Sequence, residues 1–305
     1  MNITIIIPTC DRPDMLRDAL FSITRQTALS YVEKIIISEN GGNRESEKVA
    51  NAYANEFKLP VVYQFRDPAT SAINHARLLW DEHRESCSTE LTAILHDDDW
   101  WGPHHLGLAI QAMNAQRQAS FYGGCQFDVF DIKSLLHVTS NLFAWFASGY
   151  PRVDQAWILG ERNMLIAQTM GGICHYSTMV VRTEAMKKAS TIYDMDNASF
   201  DNDRLIQAAL SRIGPVLYNP TPHVFIRQHA NRDCMANFTR EDRIRHFIST
   251  TEWIIKTSGA NVEGLIREFA AILDQCPKQA RNEVVEAMYR EWCLPTLSAI
   301  LKEKP

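Results

Sequence analysis

Along the first hundred residues the chain alternates between two rhythms of apolar and polar positions. The run "NITIIIP" is short, rich in isoleucine and closed by Pro8, the pattern of a strand buried on both faces. In "RPDMLRDALFSITRQT", Met15, Leu16, Ala19, Leu20 and Ile23 recur at helical spacing, with Pro13 near the start where its missing N–H is tolerated. The pair then repeats. Strand "VEKIIIS" leads to helix "ESEKVANAYANEF", strand "PVVYQF" to helix "TSAINHARLLWDEHRE", and a fourth strand, "LTAILH", follows. Strands alternating with helices predict an α/β fold with a mainly parallel, Rossmann-like sheet flanked by helices.

The middle is less regular. "PHHLGLAIQAMNAQRQ" reads as a helix with His104 and His105 on its surface. "ASFYGGCQFDVFD" reads as a strand or hairpin, "HYSTMVVRTEAM" as a strand entering a helix, and "PVLYNPTPHVFIRQH" as two short strands around a turn. The stretch from "SLLHV" to "LGERN" has no clear pattern. Beyond about Thr239 the rhythm becomes that of long amphipathic helices. The predicted division is an α/β domain over residues 1–238 and a helical C-terminal extension over 239–305. Val284, Val285, Met288, Trp292 and Leu297 form an apolar stripe on that extension. Packing onto the α/β domain is favoured for it, with a homodimer contact or a membrane surface as the alternative.

Composition narrows the class. The chain has 305 residues, 46% hydrophobic and 22% charged, which is ordinary for a globular protein. A net charge of −5 provides no general basic surface for nucleic acid. Seven cysteines without CxxC spacing fit reduced thiols better than a disulfide framework or a zinc site. The first residues lack a signal-peptide pattern, and no apolar run approaches the roughly 20 residues of a membrane span. The expected location is cytoplasmic, with peripheral contact at the inner face of the membrane left open.

Parallel sheets bind ligands beyond the carboxyl ends of their strands. Three polar stretches fall there: "PTCDR", "SENGG" and "HDDDWW". Asp97, Asp98 and Asp99 are adjacent and repel one another. A polar turn accounts for them in isolation; a hard divalent cation, Mg²⁺ or Mn²⁺, would take their oxygens and offset the repulsion. Three such stretches at one sheet edge favour a ligand site. Asp201 and Asp203, in "FDNDRL", precede a helix; they are either caps of its free amides or a general base.

Six segments in order resemble the inverting nucleotide-sugar glycosyltransferases of family 2, built on the GT-A fold. These are "IIIPTCDRPDML", "IIISENGG", "SAINHARLL", "LHDDDWWGPHHL", "FDNDRL" and "FIRQHANRD", between about Asn2 and Arg232. Glu39 stands where that family usually has an aspartate. The resemblance implies metal-dependent transfer of one sugar, by direct displacement with inversion, from a nucleotide-sugar donor such as a UDP- or dTDP-sugar to a hydroxyl of a glycan or lipid-linked acceptor. It implies that Pro8, Thr9, Asp11, Arg12, Glu39, Asn40, Arg66, Asn74, Arg77, Asp97, Asp98 and Arg227 line the donor nucleotide. Asp99, with Asp98 and His229, would hold the metal. Asp203, with Asp201 close behind, would be the base, and Gly171, Gly172, His175 and Tyr176 would lie on the acceptor side. Two rival readings use the same residues: a metal-dependent nucleotidyltransferase or phosphotransferase, against which stands the lack of a GxxxxGK phosphate loop, and a non-catalytic sugar-nucleotide-binding module.

Overall fold

The computed structural model describes residues 1–130, 137–138, 152–153, 156–169, 173–189, 191–192, 202–229, 239–275 and 283–302. The isoleucine-rich β1 (Ile3–Thr9) lies between β2 (Val32–Asn40) and β4 (Leu91–Ile94), with β3 (Val61–Arg66) beyond β2. These four strands are parallel, and Thr9 pairs with Glu39 while Ile6 pairs with Ile94. Their carboxyl ends therefore deliver three loops to one edge, as the alternating pattern predicts.

The sheet continues through β11 (Val180–Arg182), β6 (Phe121–Gly124), β12 (Val216–Asn219), β10 (Ala156–Leu159) and β9 (Arg152–Val153). Here parallel and antiparallel pairings mix: β11 runs antiparallel to both β4 and β6, and β12 runs parallel to β6. A second sheet has the order β5 (Trp100–Trp101), β13 (Val224–Arg227), β7 (Phe127–Val129) and β8 (His137–Val138). Consecutive strands thus part company. β6 and β7 enter different sheets, as do β12 and β13, so neither stretch is a hairpin. Local sequence does not distinguish the two arrangements, because a turn residue looks alike in both.

Helices α1 (Pro13–Thr24), α2 (Glu45–Phe57), α3 (Ala72–Ser86) and α4 (His105–Ala115) connect the first strands. They are followed by α5 (Glu161–Thr169), α6 (Thr183–Ala189) and α7 (Asn202–Ile213). The C-terminal region holds α8 (Arg240–Thr257), α9 (Val262–Gln275) and α10, which comprises Glu283–Met288, a π-helical turn Tyr289–Cys293 and Leu294–Lys302. A capping box between Thr239 and Asp242 starts α8. Among the described residues no helix is long and apolar enough to cross a membrane.

Alternation along β1 splits the interior in two. Ile3, Ile5 and Ile7 share a core with Leu16 and Leu20 of α1, Val49 of α2 and Ile110 of α4. Ile6 faces the other core, with Trp80 of α3, Met164 of α5, Leu205 of α7, Ile254 of α8, Phe269 of α9 and Trp292 of α10. The C-terminal helices therefore pack onto the α/β layers. Met288 and Trp292 of the predicted stripe are buried there and Leu297 packs against them, while the side chains of Val284 and Val285 lie outside the described residues. His105 departs from its expected surface position. It is buried against Trp101 and Tyr122, and burial pushes its pKa down to about 3.

Candidate active site

The first loop turns sharply after β1. Asp11 adopts a positive φ of 53°, and Gly42, at φ +94°, comes so near that a Cβ there would lie 3.2 Å from Asp11 Cβ. "PTCDR" and "ENGGN" are thereby packed together. Thr9 Oγ1 donates to Asp97 Oδ2 at 2.7 Å. Arg12 projects one guanidinium nitrogen between two carboxylates, 3.4 Å from Asp97 Oδ1 and 3.2 Å from Asp98 Oδ2.

The loop after β4 buries all three aspartates, and each faces different partners. Asp97 is turned into the first loop. Burial, then the neighbouring Asp98, pushes its pKa up to about 7 against the opposing pull of Arg12 and Thr9. For Asp98, burial works in the same upward direction. His96, the His229 hydrogen bond, Arg12 and His175 outweigh it and hold the carboxyl below its usual range. Of two adjacent carboxyls, Asp98 is the one that keeps its charge. Asp99 is held on both oxygens: Ser177 Oγ donates to Oδ2 at 2.5 Å and the Arg227 N–H to Oδ1 at 3.1 Å.

The small sheet brings in distant sequence. β13 pairs with β5, directly after the aspartates, so Arg227 and His229 arrive beside them. His229 Nε2 lies 3.0 Å from Asp98 Oδ2. Arg227 Nε donates to the Asp98 carbonyl at 3.1 Å, its NH2 reaches Asp18 Oδ2 at 2.6 Å, and its guanidinium lies 5.1 Å from the centre of the Trp100 ring. Two ligands about 2.1 Å from a cation and at right angles to each other are separated by about 3.0 Å, so the Asp98–His229 pair fits an octahedral Mn²⁺ or Mg²⁺ edge.

Other expected donor residues are placed differently. The Glu39 carboxylate is fully buried and accepts from Ser46 Oγ at 2.9 Å and from the Tyr63 hydroxyl. Asn40 clamps the next loop through both the N–H and the carbonyl of Thr70. Arg66 is engaged by Glu82 at 2.8 Å. Glu39 thus ties β2 to α2 and β3, Asn40 ties it to the loop before α3, and Arg66 ties β3 to α3; none of these contacts is with the aspartates. Asn74 is exposed in the first turn of α3, which Ser71 caps. The Arg77 side chain, Gly171, Gly172 and Asp201 lie outside the described residues. Pro8 lines a small cavity with Trp80, His96 and Tyr176.

Asp203 is partly buried in the first turn of α7, where its Oδ1 accepts the Arg204 N–H at 2.9 Å. Its carboxylate acts, after burial, to raise the Tyr176 phenol well above its usual range. The Tyr176 ring stands 5.7 Å from His96, whose own ring stands 5.1 Å from His175. Tyr176 thus stands against the aspartate loop, with the α7 carboxylate near enough for its charge to act on the phenol. His96 carries no expectation from the sequence. Its signal was its place at the head of "HDDD", a position overshadowed by the aspartates themselves.

The family model described as Glycosyl transferase family 2 matches residues 4–188. Among solved structures the chain is similar to S. aureus TarS 1–349 in complex with UDP-GlcNAc, with TM-score 0.61 and 11% identity over 90% of this chain and 72% of that one. Against the longer structure of S. aureus TarS the TM-score is 0.61 at 12% identity, over 100% of this chain and 53% of that one. The mannosyltransferase PcManGT from Pyrobaculum calidifontis, in complex with GDP-Man and Mn²⁺, is similar with TM-score 0.54 and 12% identity, over 99% of this chain and 74% of that one. At these identities the likeness concerns the fold. No curated protein sequence matches the chain.

Proposed function

Because the chain belongs to glycosyl transferase family 2, we propose that it moves one sugar from a nucleotide-sugar donor to a hydroxyl of a glycan or lipid-linked acceptor, with inversion by direct displacement. The observation that carries this reading is the convergence of Arg12 and His229 on Asp98 Oδ2, at 3.2 and 3.0 Å, at the carboxyl end of the parallel strands. Asp98 and His229 would hold a Mn²⁺ or Mg²⁺ ion. When bound, such a cation offsets the negative charge that develops on a leaving diphosphate.

The protein's own groups then divide the work. Arg12 and Arg227 add fixed positive charge around Asp98. Thr9 and Arg12 orient Asp97, whose carboxyl takes the ribose side of the donor. Asp203 accepts the proton of the acceptor hydroxyl as its oxygen bonds to the anomeric carbon and the bond to the diphosphate breaks. Tyr176 and His175 line the acceptor side between them.

Incubation with a panel of sugar nucleotides and Mn²⁺ or Mg²⁺ tests the reading. Acceptor-dependent release of a nucleoside diphosphate is expected, and Asp98→Asn should weaken metal-dependent donor binding about 10²-fold. Release of pyrophosphate would instead establish nucleotidyl transfer, and donor binding without turnover on any acceptor would leave a binding module.

A further inference from the structure

We propose that Gln207 is a positioning residue: from inside α7 it clamps the segment Ile173–Ser177 to the helix and so sets where Asp203 stands relative to the acceptor side and the aspartate loop. This role rests on the reading of Asp203 as the base. Ile173, Cys174 and His175 belong to no helix or strand, so their main-chain groups need partners from elsewhere. Gln207, fully buried, meets two of them with one carboxamide. Its Oε1 accepts the Ile173 N–H at 3.2 Å, and its Nε2 donates to the Cys174 carbonyl at 2.7 Å.

Gln207 follows Asp203 by one helical turn, so both stand on the same face of α7. The charge of Asp203 reaches the segment that Gln207 holds: it adds to burial in raising the Cys174 thiol and the Tyr176 phenol. The far end of the segment is pinned to the aspartate loop. Ser177 Oγ donates to Asp99 Oδ2 at 2.5 Å and accepts the His96 N–H at 3.1 Å, and the Ser177 carbonyl accepts from Trp101 Nε1 at 2.6 Å. In between, the chain lies tight against β6, where a Cβ at Gly123 would come 2.7 Å from Cys174 Sγ.

The short run from Ile173 to Ser177 therefore spans the two halves of the site and is fastened at both ends, with His175 and Tyr176 between the fastenings. An apolar side chain at 207 would fill the same space and release the α7 end. A displacement of about 1 Å between reacting groups costs up to about 10²-fold in rate.

The full chain is given UDP-, dTDP- and GDP-sugars with Mn²⁺, and slow release of nucleoside diphosphate to water is followed, so that no glycan has to be identified. The water oxygen bonds to the anomeric carbon, its proton passes to Asp203 and the bond to the diphosphate breaks. Gln207→Met should lower kcat about 10–100-fold and leave the donor KM within about twofold. Added to Asp203→Asn, the same change should cost less than about twofold more, whereas a general loss of structure would subtract equally from both backgrounds. Gln207→Glu should recover, relative to the unaltered protein at the same pH, as pH falls from about 8 to about 6, because its buried carboxyl once protonated again offers one donor and one acceptor. Hydrogen exchange on the unaltered protein needs neither turnover nor a folded variant: the Ile173 amide should be protected far beyond an unstructured amide. Normal turnover in Gln207→Met beside an impaired Asp203→Asn, an equal loss in both backgrounds, no recovery of Gln207→Glu, or an Ile173 amide exchanging at the unstructured rate would overturn the proposal. Normal turnover in Asp203→Asn would overturn the base reading itself, and the role of Gln207 with it.

Discussion

The two faces of the large sheet are covered from different parts of the chain. On one face, α1, α2 and α4 lie close in sequence to the strands they cover. On the other, α3 is joined by α5, α6 and α7 and by α8, α9 and α10 from the C-terminal region. The chemistry divides in the same way. The residues proposed for the donor side, Thr9, Arg12 and Asp97 to Asp99, come from strand ends and loops of the first hundred residues, completed by Arg227 and His229. Asp203 sits, partly buried, in the first turn of α7 in the second assembly. There, buried Arg204 ties three helices together: its Nε donates to Gln168 Oε1 at 3.2 Å, NH2 to the Gln168 carbonyl at 2.8 Å and to the Thr251 hydroxyl, and NH1 to the Phe247 carbonyl at 3.2 Å. Its guanidinium also stacks 4.0 Å over the Phe247 ring. On the proposed reading, the difference makes donor binding and base positioning separable: one depends on loop ends, the other on remote helix packing.

The largest test removes part of the second cover. Truncation before Asn261 deletes Leu265, Ile266, Phe269, Met288 and Trp292 from the core. At about 1.5–3 kcal/mol per buried side chain the loss is about 10 kcal/mol, comparable to the net stability of a domain. No soluble, cooperatively folded protein is expected, as read by yield and circular dichroism. A soluble, active truncation that has lost self-association would make this region a homodimer or membrane contact instead.

Next in size is Asp203→Asn. Turnover should fall about 10²–10⁴-fold, the range for a lost general base, while the donor dissociation constant stays within about twofold of its starting value. Asp201→Asn is the matched control. Loss of turnover in Asp201→Asn alone would move the base two residues along; normal turnover in both variants would end the direct-displacement reading at this helix. A merely capping role for Asp203 would lower the melting temperature and leave turnover intact.

Arg204→Met probes the join between the two assemblies. It removes the donors to Gln168 Oε1 and to the Gln168 and Phe247 carbonyls, leaving the two carbonyls to share the Thr251 hydroxyl, at about 1–3 kcal/mol. Urea unfolding should register that loss, and turnover should drop with it through misplacement of α7. Donor affinity, measured at full folding, should not move. If donor affinity falls in step, the two faces are coupled and the comparison fails.

The same contrast explains what could be read in advance. The βαβ rhythm of the first hundred residues carries its own spacing, so four parallel strands and three site loops were legible. Arg227 and His229 stand two residues apart, a spacing that puts both on one face of an extended chain, and both reach Asp98. What was not legible depends on distant pairing. The separation of β6 from β7, and of β12 from β13, arises from sheet partners far away in sequence. α5 was hidden in a stretch without clear periodicity, since it is buried along most of its length. Glu39 and Asn40, expected in the turn after β2, are its last two residues, and their hydrogen bonds go to Ser46, Tyr63 and Thr70. A polar residue at a strand end announces a need for partners without naming them.

The smallest effect concerns pH and the one N-terminal crossover helix that covers the second face. His75 of α3 is 3% exposed, and its Nε2 lies 3.0 Å from Ser38 Oγ of β2. Burial, then the charge of Arg66, lowers its pKa from 6.5 to about 4. Between those values the unfolded chain takes up a proton that the folded protein refuses. Its stabilising contribution is therefore complete above pH 6.5 and is lost as pH falls toward 4. At pH 5 that loss is about 2 kcal/mol. His75→Gln keeps a side chain able to bond Ser38 and does not titrate, so its unfolding free energy should fall less between pH 7 and pH 5, by about that amount. His105, buried under the other face with its pKa near 3, gives the same sign and serves as the comparison. An acid slope unchanged by His75→Gln but flattened by His105→Gln would place the acid-sensitive joint under α4, on the locally built face, and not under α3.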